Sequence, residues 1–93
     1  MIQTKEETFQ EEVSILVKEV KQSISKILLS KDRTSKHEPY TWMSEPIDQH
    51  LLKACRHINT HIQVTKGYQK ESKENHLNNA ITRLAMAIVL VND

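Results

Sequence analysis

Apolar residues recur at steps of three and four along most of this 93-residue sequence, in three separate runs. This spacing places apolar side chains on one face of a helix, whereas half-buried strands show strict alternation. The sequence has only one glycine and two prolines, so few positions interrupt a helix. It therefore predicts an all-α fold of three amphipathic helices at about 5–30, 45–65 and 72–92, within a single helical domain at 1–93.

Capping residues predict where each helix begins and ends. Thr4 stands three positions before Glu7, which is the spacing of a capping box. Ser44 is the predicted cap of the second helix and Ser72 that of the third. Gly67, the only glycine, is expected to end the second helix. The second and third helices would then form a helical hairpin, with a polar connector without helix at 31–44.

The predicted helices carry more apolar surface than one chain can cover. The inner face of the second helix is expected to consist of Ile47, Leu51, Ala54, Cys55, Ile58 and Ile62. Cys55, the only cysteine, would be a small buried hydrophobe within it. The first helix would be about 39 Å long at 1.5 Å per residue, longer than the hairpin can cover. We therefore expect self-association into an oligomeric bundle.

Charge and hydropathy exclude several classes of partner. Thirteen Lys and Arg against twelve Asp and Glu give a net charge of +1, so duplex nucleic acid is not an expected partner. No apolar run approaches the roughly 18 residues that span a bilayer, and the N-terminal residues do not resemble a signal peptide. We expect no membrane association and a cytoplasmic location.

Histidines and cations lie along one edge of the second predicted helix. The third predicted helix has a similar polar edge, which is expected to face the first. Lys and Arg donate charge-assisted hydrogen bonds to phosphate, and the start of the third helix adds backbone N–H groups. Two aromatic residues of the connector can stack on a base. The predicted ligand-binding residues are Tyr40, Trp42, His50, Lys53, Arg56, His57, His76, Asn79 and Arg83. A solvated polar face, or an ion pair between subunits at Arg83, is the alternative interpretation.

A metal site is another possible use of the same histidines. His57 and His61 have the spacing of two ligands on one helix, but no acidic residue lies beside them there. The nearest carboxylates, Glu71 and Glu74, precede His76. The expected nucleotide site needs no metal and no cofactor, whereas an enzyme would use His57, Glu71, Glu74 and His76.

The sequence from Tyr40 onward resembles a small phage family of dATP/dGTP diphosphohydrolase-like helical proteins. The matching residues are Trp42, Pro46, His50, Leu51, Ala54, Arg56, His57, Glu71, Ser72, His76, Leu77 and Ala80. The resemblance implies a Mg²⁺-dependent dNTP pyrophosphohydrolase. The second histidine of the family's last motif is Asn79 here, and the glycine after Glu-Ser is Lys73. The family's acidic run before Glu-Ser is replaced by Lys66, Tyr68, Gln69 and Lys70, which removes oxygen ligands for Mg²⁺.

The third predicted helix also resembles the helical-hairpin phage sponges of the anti-CBASS and Thoeris anti-defence type. The residues that carry this likeness are Leu77, Ala80, Ile81, Met86, Ala87 and Ile88. It implies that phosphate is bound without a metal or a general base. The leading interpretation is a phage-type protein of the host cytoplasm that sequesters a nucleotide or cyclic nucleotide signal without hydrolysis. The alternatives are the pyrophosphohydrolase and a helical interaction module with no small ligand.

Overall fold

The computed structural model describes residues 2–70 and 74–93, and within them the chain is helical with no strand. The helices are α1 (Lys5–Leu28), α2 (Lys31–Lys36), α3 (Ile47–Thr65) and α4 (His76–Asn92), with a 3₁₀ turn at Thr41–Ser44. Helices α3 and α4 pack against each other, and α1 packs on α4. The predicted all-α fold and its helical hairpin are therefore confirmed. Among the described helices, none is long and apolar enough to cross a bilayer.

The first helix ends at Leu28 and not near residue 30, because Ser30 caps a second, short helix. At its start, the Thr4 hydroxyl accepts a 3.1 Å hydrogen bond from the Glu7 amide, as predicted. At its end, α1 stops at Leu28 and Ser30 caps the short helix α2, accepting from the Arg33 amide at 3.4 Å. The prediction of a connector without helix was wrong, since it contains both α2 and the 3₁₀ turn.

The start of α3 differs from the prediction, whereas its end agrees. Pro46 is the N-cap, and the Ser44 hydroxyl donates to the Thr41 carbonyl oxygen at 2.9 Å instead of capping the helix. At the other end, Gly67 has a φ of +79° and its amide donates to Val64. The Tyr68 amide donates to the Gln63 carbonyl. Together these two bonds form a Schellman motif, in which glycine meets the left-handed conformation at least cost.

The start of α4 lies beyond the predicted cap. Ser72 is outside the described residues. The observed N-cap is Asn75, whose side-chain oxygen accepts a 2.9 Å hydrogen bond from the Asn78 amide. The helix therefore begins at His76 and not at 72.

The core between α3 and α4 is made of small residues. Ala54 on α3 and Ala80 and Ala87 on α4 are buried, together with Met86. The buried face of α3 is His50, Ala54 and His57. The predicted inner face was therefore wrong for Leu51, Cys55, Ile58 and Ile62, which are all exposed. The observed buried face is shifted by about one residue from the predicted one. The histidines are buried because they have partners on α4.

Most of α1 lies outside the core. Residues 5–19 are all exposed, and contact with the rest of the chain begins near Val20. The exposed part carries the apolar residues Phe9, Val13, Leu16 and Val17, each more than half exposed. At 1.5 Å per residue, the exposed part of α1 is about 22 Å long. An isolated helix of this length is marginally stable in water.

Candidate functional site

Glu45 is the centre of an ion network between α3 and α4. Its Oε1 accepts a 2.9 Å hydrogen bond from the Lys53 ammonium, and its Oε2 accepts a 2.7 Å bond from Arg83. The hydrogen bond from Lys53 and the positive charge of Arg83 hold the pKa of the Glu45 carboxyl below its usual range, against the opposing effect of burial. Two cations predicted to bind phosphate are thus paired with a carboxylate of the same chain.

His50 is fully buried beside this network. Its Nε2 lies 2.8 Å from the Trp42 carbonyl oxygen, and its Nδ1 lies 3.1 Å from Nη1 of Arg83. A carbonyl only accepts hydrogen bonds and a guanidinium only donates them, so Nε2 carries the proton and Nδ1 accepts. The ring of Trp42 meets the His50 ring edge-on. His50 therefore joins the 3₁₀ turn to α4 from within the core.

A second cluster joins α3 to the beginning of α4. The Nδ1 atoms of His57 and His76 lie 3.0 Å apart, and a Glu74 carboxylate oxygen lies 3.7 Å from Nδ1 of His57. Burial lowers the pKa of the His57 imidazole, while the negative charge of Glu74 acts in the opposite direction. Glu71, the remaining member of the predicted metal set, lies outside the described residues.

A polar cleft of about 600 Å³ separates α1 and α2 from the start of α4. Its cationic side is formed by Arg33 and Lys36 of α2, with His37, the residue that follows α2, beside them. Asn75 and Asn79 line the opposite side of the cleft. Because they lie at the start of α4, the cleft is next to the positive end of the α4 dipole. The other lining residues are Ile27, Ser30, Asp32 and Glu74. Its cations and amide groups are the donors that bind phosphate in proteins, with two carboxylates beside them.

An apolar cleft of about 420 Å³ adjoins the same short helix. Tyr40 and Trp42 line it, and Arg33 and His37 belong to both clefts. The other lining residues are Leu28, Leu29, Thr34, Glu38 and Pro39. Tyr40 has a left-handed backbone, with a φ of +66°, and its side chain is 72% exposed. Arg33 and His37 thus lie beside aromatic residues in one cleft and beside polar and charged residues in the other.

The nine predicted ligand-binding residues do not form one site in the folded chain. Trp42, His50, Lys53 and Arg83 belong to the Glu45 network, and His57 pairs with His76. Asn79 lines the polar cleft, Tyr40 and Trp42 line the apolar cleft, and Arg56 is exposed on α3.

The basic residues of the polar cleft were missed by sequence reasoning. Arg33, Lys36 and His37 stand at positions i, i+3 and i+4, which is one face of a helix. The sequence did indicate a helix here, because Ser30 precedes Arg33 by three residues, which is the spacing of an N-cap. A helix of six residues is too short to show a hydrophobic period, so the segment was interpreted as a connector.

Scans against protein-family models, curated proteins and solved structures find no match for this chain. The resemblance to the phage families therefore remains a prediction.

Proposed function

We propose that this protein binds a nucleotide or cyclic nucleotide across the two clefts of α2 and sequesters it without hydrolysis. The observation that carries the proposal is that Arg33 and His37 line both an aromatic cleft and a cationic cleft. A nucleotide has the same two parts, an apolar base and charged phosphates. Both cleft volumes lie within the usual range for small-molecule sites, about 300–1,000 Å³.

The phosphate would bind in the polar cleft. Arg33 and Lys36 provide charge-assisted donors, and the beginning of α4 adds the positive end of its dipole. Asp32 and Glu74 also line this cleft. Asp32 lies in the first turn of α2, where a negative charge favours the helix. The carboxylate of Glu74 lies 3.7 Å from His57.

The base would bind in the apolar cleft, where the exposed ring of Tyr40 is available for stacking. Stacking on an aromatic ring contributes about 1–3 kcal/mol per base and tolerates different bases. Trp42 provides a second wall, held in place because its carbonyl is bonded to the buried His50. The arrangement therefore suits an aromatic base, purine or pyrimidine.

The absence of hydrolysis in this proposal rests on the chemistry of the described residues. Mg²⁺-dependent hydrolases bind their ion through oxygen ligands, mainly carboxylates and water. Glu45 is already paired with Lys53 and Arg83, and Glu74 lies beside two imidazoles. These surroundings favour direct neutralisation of phosphate by Arg33 and Lys36.

A thermal-shift and calorimetric screen tests the ligand class. Inorganic phosphate, adenosine, dATP, dGTP, cyclic dinucleotides and cyclic trinucleotides are compared in EDTA, since a ligand that binds only the folded state raises the Tm. A two-part site predicts that one of the nucleotides binds more tightly than both phosphate and adenosine. Equal binding of adenosine and all nucleotides would contradict a phosphate subsite.

Matched variants test the location. Arg33→Ala and Tyr40→Ala should each weaken nucleotide binding, the former by about 1.5–3 kcal/mol for a lost charged hydrogen bond. Arg56→Ala and Tyr68→Ala change the same residue types at exposed positions outside these two clefts, so neither should matter. If Arg56→Ala weakened binding and Arg33→Ala did not, the ligand would lie on the predicted edge of α3 instead.

The proposal includes self-association, a cytoplasmic location and a phage origin. Self-association is supported by the exposed apolar face of α1 and by exposed Leu51, Ile58 and Ile62 on α3. A cytoplasmic location is supported by the free, exposed thiol of Cys55, which suits a reducing compartment. For a phage-encoded protein this compartment is the host cytoplasm, where a sequestered signal would be found.

A further inference from the structure

His57, Glu74 and His76 place three potential metal ligands around one point between α3 and the beginning of α4. One donor atom from each residue lies within 4.8 Å of the other two. The residues come from two separate segments of the chain, so the fold is what brings them together. We propose that this cluster is a binding site for a zinc-class divalent transition metal ion.

The distances fit a tetrahedral ion. Zinc–ligand bonds of about 2.0–2.1 Å at a tetrahedral angle place neighbouring ligand atoms about 3.3 Å apart. The two Nδ1 atoms are 3.0 Å apart, and the Glu74 oxygen is 3.7 Å from Nδ1 of His57. The first distance is slightly shorter, and the second slightly longer, than the spacing that a tetrahedral zinc ion requires. The third pair, Glu74 and His76, has donor atoms within 4.8 Å of each other, so the exposed Glu74 side chain would move toward the imidazoles to bind the ion.

The donor set selects the class of ion. Two imidazole nitrogens and one carboxylate suit zinc, cobalt or nickel, whereas Mg²⁺ and Ca²⁺ prefer oxygen ligands. Three protein ligands leave a fourth tetrahedral position for water, as in zinc sites that exchange a ligand.

Glu74 also lines the polar cleft, but the metal site itself needs only protein side chains. It can therefore be tested in the absence of nucleotide, on untagged protein treated with EDTA and desalted. Titration with Co²⁺ followed by visible absorption reports tetrahedral binding, and subsequent addition of Zn²⁺ should displace the cobalt. We expect saturable binding of one ion per chain and none of Mg²⁺.

Variants assign the ligands. His76→Ala and Glu74→Gln should weaken Zn²⁺ binding by at least about tenfold, the lower limit seen even for groups that only orient a ligand. Glu74 is exposed and His76 is half-buried, and circular dichroism checks that each variant is folded. His61→Ala and Cys55→Ser are matched controls on α3 and should bind as the wild type does.

Two outcomes would overturn the proposal. Unchanged Zn²⁺ affinity in both His76→Ala and Glu74→Gln would exclude this cluster. Loss of binding in Cys55→Ser would assign the ion to the exposed thiol instead. Since the titration contains no nucleotide, neither outcome bears on the clefts of α2, and a failure of nucleotide binding in EDTA would leave the metal site unaffected.

Discussion

Arg83 and Glu45, which are 38 positions apart in the chain, are joined by a 2.7 Å hydrogen bond between Nη1 and Oε2. This bond ties α4 to the segment that precedes α3. Lys53 of α3 binds the other carboxylate oxygen, and the buried ring of His50 accepts from the same guanidinium. One carboxylate therefore fixes the relative position of α3, α4 and the 3₁₀ turn that carries Trp42.

Glu45→Gln should destabilise the fold, because the amide retains hydrogen bonding but leaves Lys53 and Arg83 without a counter-charge. We expect the free energy of unfolding to fall by about 1–2 kcal/mol. This is less than a buried charged hydrogen bond would contribute, because solvent screens the partly exposed carboxylate. Urea denaturation measures the change. Glu19→Gln, on the exposed part of α1, is the control and should leave the midpoint almost unchanged. Equal midpoints for both variants would show that the network contributes nothing.

The same carboxylate predicts a dependence of stability on pH. The pKa of Glu45 is lower in the folded chain than its ordinary value of 4.5. Its contribution is therefore complete above about pH 4.5 and is lost as the pH falls through the folded-state pKa. Between pH 6 and pH 3 the Tm of the wild type should fall more steeply than that of Glu45→Gln. Parallel curves would contradict the assignment.

Ala54→Leu should destabilise the hairpin, because Ala54 is 1% exposed on the face of α3 that packs against α4. Three added carbon atoms would force the helices apart, at a cost of about 1–3 kcal/mol. Cys55→Leu introduces the same side chain one position along, where the residue is exposed. That control should change the free energy of unfolding by less than about 0.5 kcal/mol. The reverse order of the two variants would mean that α3 is rotated.

Self-association predicts a mass in solution above the 10.8 kDa of one chain. Light scattering at micromolar concentration measures it. Leu16→Glu places a charge in the exposed apolar face of α1 and should reduce the mass toward that of a monomer. Gln10→Glu adds the same charge at an exposed polar residue of α1 and should not. A wild-type mass of one chain would remove the proposed assembly.

The helix ends show which features of the fold the sequence determines locally. Thr4 and Gly67 act through hydrogen bonds within a few residues, so spacing alone predicted them correctly. Ser44 met the same local criterion, but it does not cap α3, because its hydroxyl bonds to Thr41 in a 3₁₀ turn. A cap is predictable only where no competing turn uses the same side chain.

The buried face of α3 was not predictable from hydropathy. The apolar residues Leu51 and Ile58 give a regular helical stripe, yet His50 and His57 are the ones buried. Their burial depends on partners at a distance in sequence, Arg83 and His76, which satisfy the ring nitrogens. His57 and His76 were candidate ligands on facing edges of the predicted hairpin, and the fold brings them together. The basic face of α2 was not predicted, because that helix is too short to show a hydrophobic period.

The most direct test of the proposed function is calorimetric titration of the wild-type protein with the nucleotide selected by the screen, in EDTA. It is run beside chromatography of dATP and dGTP incubated with the protein and Mg²⁺. Sequestration by Arg33 and Lys36 predicts saturable binding without a divalent ion and full recovery of both triphosphates. Steady release of pyrophosphate that requires Mg²⁺ and is lost in His57→Ala would contradict sequestration and establish a pyrophosphohydrolase.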